Sequence, residues 1–281
     1  MRIFISADME GISGIATSED VTMGTAEYRR GKELFHSDVN AAIEGAVAAG
    51  ATEILVNDSH SSMRNLDRVE IDERAQLIRG NTKPRSMMQG LSDEYDGALF
   101  VGYHAKAGTS SGVLNHTFFG WKLVRLRVND HEVGELGWNA RLAGALDVPV
   151  VLVTGDDVTA TEARTELGDE IETVAVKRGI DRFTAYCRPV SETQAAIRDH
   201  AERAVSTAAD GDVAVPMVDT PIRIEADWAT TNQAARAAGT PDVTRTDSRT
   251  TRVEGDNYPD VYERSIAMLR AGGAGTDAQY G

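Results

Sequence analysis

Apolar positions along this chain follow two rhythms, and the two alternate. Short, nearly continuous apolar runs at residues 2–7, 53–56, 97–103, 149–153 and 173–177 predict buried strands. Between them lie stretches with helical spacing. One runs from a Ser37 N-cap through 40–43 to Ala49, where Gly50 stops it, and others cover 135–146 and 159–167. Residues 123–128, followed by Asn129-Asp130 and a short return, predict a hairpin. This alternation predicts an α/β fold, a three-layer sandwich around a largely parallel or mixed sheet.

After Pro189 the texture changes. Residues 191–208 form a long Ala-rich helical stretch ended by Gly211, with strand candidates at 222–226 and 243–253 and a helix over 259–269. The expected organisation is a main α/β domain over 1–189 and a smaller α/β lobe over 190–270 that packs or oligomerises. The Gly-rich end, 271–281, is expected to be a disordered tail.

Composition narrows the function. The 281 residues carry 44 acidic against 29 basic side chains, a formal charge of −15 that disfavours nucleic acid and anionic membrane surfaces as partners. Lysine stands only at 32, 83, 106, 122 and 177, the remaining basic residues being arginine. An acidic, Lys-poor surface is expected of a halophilic protein; a GC-rich genome that favours Arg codons is the other source of the same bias. No apolar run approaches the roughly 18 to 20 residues of a membrane span. The N-terminus lacks the long apolar region of a signal peptide, so a cytoplasmic location is expected. Cys187 is the single cysteine, excluding an intrachain disulfide, and reads as a structural thiol.

The candidate chemistry sits just past the strands. Asp8 and Glu10 follow the first strand at i, i+2 spacing, so in extended backbone both carboxylates point to one place. His60 follows the second strand, His104 the third, and Glu135 opens a helix after the hairpin. Ligands in open α/β sheets gather at the carboxyl ends of strands, so these five residues can converge. Two imidazoles and three carboxylates suit Zn²⁺, with Mn²⁺ or Co²⁺ also fitting. His116 lies in the Gly- and Ser-rich stretch 108–117, where a proton-transferring imidazole belongs. Asp58, Asp156 and Asp157 are candidates for orienting imidazoles or binding a substrate's free α-amine, with turn and helix-cap roles as the alternative. His36 and His200 read as solvated, and His131 as a surface residue of the hairpin turn.

In order along the chain, the segments Ser6-Ala7-Asp8-Met9-Glu10-Gly11, Val56-Asn57-Asp58-Ser59-His60-Ser61, Gly102-Tyr103-His104, Asn115-His116, Val133-Gly134-Glu135-Leu136-Gly137 and Gly155-Asp156-Asp157 resemble the zinc D-aminopeptidases encoded with bacterial dipeptide-transport genes. The likeness is strong to about residue 180 and looser beyond. It implies a zinc-dependent aminopeptidase that releases N-terminal, D-configured residues from short peptides by a metal-activated water. It implies two zinc ions per chain bridged by Asp8, with Glu10 and His104 completing one site and His60 and Glu135 the other. His116 would be the catalytic histidine, and the assembly a homo-oligomer, a decamer of two stacked five-membered rings.

Two rival readings use the same ligands. A two-metal phosphohydrolase would need phosphate-clamping groups, and the strand-end loops offer few Arg or Lys and no Walker-type loop. A non-catalytic metal- or dipeptide-binding assembly subunit would not require His116.

Overall fold

The computed structural model describes residues 1–275 apart from 212 and 214. Its first half builds the strands β1 (Arg2–Ala7), β2 (Glu53–Asp58), β3 (Ala75–Ile78), β4 (Gly97–Val101), β5 (Leu123–Val128) and β6 (His131–Val133). The second half adds β7 (Val150–Asp156), β8 (Glu172–Asp181), β9 (Thr184–Cys187), β10 (Ile222–Trp228), β11 (Thr244–Arg245) and β12 (Thr250–Gly255). The helices are α1 (Ser18–Val21), α2 (Ala26–Ala48), α3 (Glu135–Ala145), α4 (Asp157–Leu167), α5 (Val190–Asp210), α6 (Thr231–Ala237) and α7 (Tyr258–Gly273).

Seven strands form the main sheet in the order β3-β2-β1-β4-β7-β8-β9, parallel throughout except for β9 against β8. Strand periodicity sorts the side chains of β1 between two cores. Ile3, Ile5 and Ala7 pack against Phe35, Val39 and Ile43 of α2 and Ile197, Ala201 and Val205 of α5. Phe4 faces the other way, into a core shared with Trp138 and Leu142 of α3, Ala163 of α4 and the second sheet. That second sheet is antiparallel, in the order β11-β12-β10-β5-β6, and α7 packs against it through Tyr262, Ile266 and Leu269. The result is the expected mixed α/β architecture of layers with a smaller second sheet.

Several expectations change. Helix α2 starts at Ala26, eleven residues before Ser37, because the Thr25 side chain accepts from Tyr28 N at 3.1 Å. Ser37 is instead mid-helix, its hydroxyl donating to Glu33 O at 2.9 Å. The strand expected over 243–253 is split into β11 and β12, which pair antiparallel around the turn at 246–249. The boundary expected at residue 189 does not coincide with a change of layer. The smaller sheet recruits β5 and β6 from before it, while α5 from after it returns to the α2 face of the main sheet. Of the expected disordered tail, 271–273 complete α7, and 276–281 lie outside the described residues. Gly272 and Gly273 are ordered there by close packing: a Cβ would stand 2.2 Å from the Trp228 ring and 2.3 Å from that of Phe119. No helix among the described residues is long and apolar enough to cross a membrane.

Candidate metal centre

In the main sheet β1 and β4 are neighbours, yet the chain leaves β1 toward β2 on one side and continues from β4 toward β7 on the other. The crevice at such a reversal, outside the carboxyl ends of the strands, is where open sheets bind ligands. The chain is drawn tightly together here. Asp8 N donates to Val101 O at 2.8 Å, Ser59 N to Ala7 O at 2.7 Å and Gly11 N to Gly102 O at 2.7 Å, joining the ends of β1, β2 and β4. Gly11 is required by this approach, since a Cβ there would lie 1.9 Å from Tyr103 O.

The five predicted ligands meet at this point, all buried: Asp8, Glu10, His60, His104 and Glu135 expose no more than 6% of their surface. His60 Nδ1 lies 2.8 Å from Glu10 Oε2 and 3.5 Å from Asp8 Oδ1. His104 Nε2 lies 3.4 Å from Asp8 Oδ2 and 3.5 Å from Glu135 Oε1. Asp8 thus stands between the two imidazoles, one carboxylate oxygen facing His60 and the other His104. His116 joins from its loop: its ring stacks on His104 with centroids 4.0 Å apart, and its Nε2 is 3.9 Å from both Glu10 Oε1 and Glu135 Oε1. Donor atoms of Asp8, Glu10 and His104 lie within 4.8 Å of one another, as do those of His104, His116 and Glu135.

The electrostatics are those of a site built for cations. Burial and the charge of Glu10 push the Asp8 carboxyl up to about 7. Burial also works against ionisation of Glu10, but the charge and hydrogen bond of His60 outweigh it and hold Glu10 well below the ordinary carboxylate range. For His104, burial opposes protonation, and Glu135 and Asp8 overcome it, raising the imidazole to about 10. Burial likewise opposes protonation of His60, and Glu10 and Asp8 raise it well above its usual range. Among the described residues, every ion pair of these three carboxylates is to a histidine, with no Lys or Arg among them. Three buried carboxylates with oxygen and imidazole nitrogen atoms aimed at one space fit divalent cations of zinc's ligand preference. His116 differs in sign: burial and then the charge of His104 lower it, favouring the neutral ring.

The other predicted residues lie around the cluster, not in it. Asp58 is fully buried and accepts from Asn65 N at 2.5 Å and Leu66 N at 2.8 Å, so it shapes the loop that carries His60. Asp156 caps α4 through Thr159 N at 2.7 Å and holds the loop before His116 through Val113 N at 2.6 Å. Asp157 accepts from Gly179 N at 2.8 Å on β8. Asp58 and Asp156 thus make turn and cap contacts, whereas Asp157 ties the start of α4 to β8. His36 is buried rather than solvated, its Nε2 accepting from Asp67 N at 2.8 Å. His200 is half-buried against Glu172 at 2.6 Å, and His131 is exposed beside Glu166 at 2.9 Å. Cys187 is exposed at the end of β9.

Two features escaped the sequence. Beneath the centre runs a buried chain of hydroxyls and amides: Ser6 Oγ meets Tyr103 OH at 2.7 Å, Asn139 Nδ2 donates to Tyr103 OH at 3.0 Å, and Tyr262 OH donates to Asn139 Oδ1 at 2.6 Å. Lys177 and Lys83 reach the ligand loops from distant parts of the chain. The scarcity of lysine was the signal that could have drawn attention to them.

A buried carboxylate–imidazole centre at the switch point of a doubly wound sheet fits a metal-binding protein of the α/β class. Residues 1–266 match peptidase family M55, the D-aminopeptidases, and the chain belongs to that family. It is 46% identical over 187 residues to a D-aminopeptidase of Bacillus subtilis strain 168, covering 66% of this chain and 67% of that one. Its fold superposes with a TM-score of 0.92 and 34% identity on a solved Bacillus subtilis structure, over 99% of this chain and 100% of the other. That structure is described as the Zn-dependent D-aminopeptidase DppA, a self-compartmentalizing protease.

Proposed function

We propose that this chain is a zinc-dependent aminopeptidase that removes N-terminal, D-configured residues from short peptides. The observation that carries the proposal is the convergence of Asp8, Glu10, His60, His104 and Glu135 in one buried space, with His116 stacked beside them. Asp8, Glu10 and His104, whose donor atoms lie within 4.8 Å of one another, would hold one zinc, and Asp8, His60 and Glu135 a second. Bound zinc supplies polarisation of the scissile carbonyl and an acidified water at neutral pH. The chain's own contribution to proton movement is His116. Its Nδ1 lies 2.8 Å from Leu114 O, a contact that places the ring proton on Nδ1 and leaves the Nε2 lone pair facing the centre. Held toward the neutral form by burial, it would accept a proton at Nε2 and return it to the leaving amine.

The acidic surface is read as a halophilic adaptation of a cytoplasmic protein, and the assembly as a homo-oligomer, a decamer of two stacked rings. Exposed apolar groups support association: Trp121 is 80% exposed and Phe183 52%, and Arg182 joins their loops by donating to Gly120 O at 2.8 Å.

The test is hydrolysis by the zinc-loaded protein of paired D-alanyl and L-alanyl dipeptides and of a phosphoester. Cleavage of the D-alanyl dipeptide ahead of its L-counterpart, with the phosphoester untouched, is expected. Phosphoester cleavage without peptide cleavage would establish the phosphohydrolase instead.

A further inference from the structure

Burying an ammonium ion is costly unless polar partners replace water. Lys177 on β8 is 1% exposed and Lys83 is 4% exposed, yet their hydrogen-bond partners among the described residues are carbonyl oxygens, not carboxylates. Lys177 Nζ donates to Glu10 O at 2.6 Å and to Ile12 O at 2.9 Å. Those two carbonyls flank Gly11, so one donor fixes the peptide planes on both sides of the turn that carries Glu10. Lys83 Nζ donates to Asp58 O and to Asn57 Oδ1, each at 2.7 Å, and so fixes the end of β2 just before His60. The two ammonium groups act alike on the two loops that bring Glu10 and His60 within 2.8 Å of each other.

The sequence supports a selective use of lysine. Arginine dominates the basic residues, and four of the five lysines place their ammonium against backbone carbonyls: Lys83, Lys106, Lys122 and Lys177. A compact ammonium can cap two carbonyls in a closed slot, whereas a planar guanidinium fork needs more room.

We propose that Lys177 and Lys83 are positioning residues that hold the Glu10 and His60 loops in the geometry that binds zinc. Neither touches substrate or metal; each acts through the backbone of a ligand-bearing loop. The inference rests on the function proposed above and assigns it two further residues.

The experiment measures zinc affinity by competition with a chelating indicator, alongside melting temperature with and without zinc. The proteins are wild type, Lys177→Met, Lys83→Met and Lys32→Ala, the last on α2 away from the centre. Met keeps the length and packing of the stem and removes the donor. Loss of a group that orients metal ligands weakens binding by about 10- to 100-fold. That loss is expected in both Met variants, with a smaller zinc-induced rise in melting temperature and activity recovered in excess zinc; Lys32→Ala should bind like wild type. Wild-type zinc affinity in either Met variant, with only the zinc-stripped melting temperature lowered, would make that lysine structural and overturn its assignment. If a Met variant does not fold, Lys177→Gln or Lys83→Gln, whose shorter neutral amide cannot hold both carbonyls as the ammonium does, should fold and bind zinc more weakly than wild type, and wild-type affinity there would overturn the assignment. Failure of both at one position would assign that lysine to folding and equally overturn its assignment. A wild-type protein that holds no zinc would instead defeat the proposed function.

Discussion

At the centre three carboxylates share one buried space with three imidazoles, and the histidines divide by charge. Glu10, Asp8 and Glu135 draw positive charge onto His60 and His104 against the cost of burial, a charge that zinc would carry once both rings ligate it, while burial favours the neutral ring of His116. His116→Ala should therefore lower kcat by roughly 100-fold or more with zinc content unchanged, because proton transfer contributes at that scale. His131→Ala, at an exposed ring paired with Glu166, should leave kcat near wild type, and equal losses in the two variants would misplace the proton carrier. A second residue makes a pH prediction. Asp38 lies fully buried on α2 and accepts from Ser13 N at 2.9 Å with one carboxylate oxygen, while the other has no hydrogen-bond partner among the described residues. Burial raises its carboxyl from 3.8 to about 6, so the folded protein holds this proton more tightly than the unfolded chain. The resulting stability is fully present below about pH 4 and is lost as the pH rises through about 6. Asp38→Asn keeps an acceptor for Ser13 and removes the charge. It should raise the melting temperature of the zinc-stripped protein more at pH 7.5 than at pH 4, by an amount corresponding to about 2–3 kcal/mol. An equal effect at the two pH values would contradict the assignment.

The elements place these groups through a few close approaches. Gly11→Ala would set a Cβ against Tyr103 O and part the β1 loop from the β4 loop, so it should lower both zinc affinity and melting temperature. A variant that binds zinc like wild type would show that the approach is not needed. Much of this was legible in the chain. Strand ends announced themselves because an apolar run stops at Asp8 or His104, and the Asn129-Asp130 turn, with φ of 47° and 69°, suits a two-residue hairpin. Other elements left little trace. Strand β3 is four residues long with only Ala75 buried, too short to show a period. The start of α2 was obscured by Gly31, which sits where the helix packs against the Asp20 carbonyl. Lys177 acts on Glu10 across 167 residues of sequence, a contact that no local spacing reveals. The substrate candidates Asp58, Asp156 and Asp157 were ambiguous for a related reason: a carboxylate after a strand looks the same whether it faces a ligand or a backbone N–H.

For the whole molecule, a formal charge of −15 means self-repulsion in dilute buffer. If the acidic surface is a halophilic adaptation, melting temperature and activity should climb toward molar KCl, where the Debye length is about 3 Å. A flat or falling series would attribute the scarcity of lysine to codon bias. An assembly enclosing the centre would admit short, flexible peptides and exclude folded proteins, so light scattering should give a mass several times that of the 30.3 kDa chain. The zinc ions carry the proposed activity. Chelated protein, titrated with zinc while release of the N-terminal residue from a D-alanyl dipeptide is followed, should be inactive at first and gain activity until about two zinc ions per chain are bound. Full activity that persists after chelation, with no zinc in the protein, would contradict it.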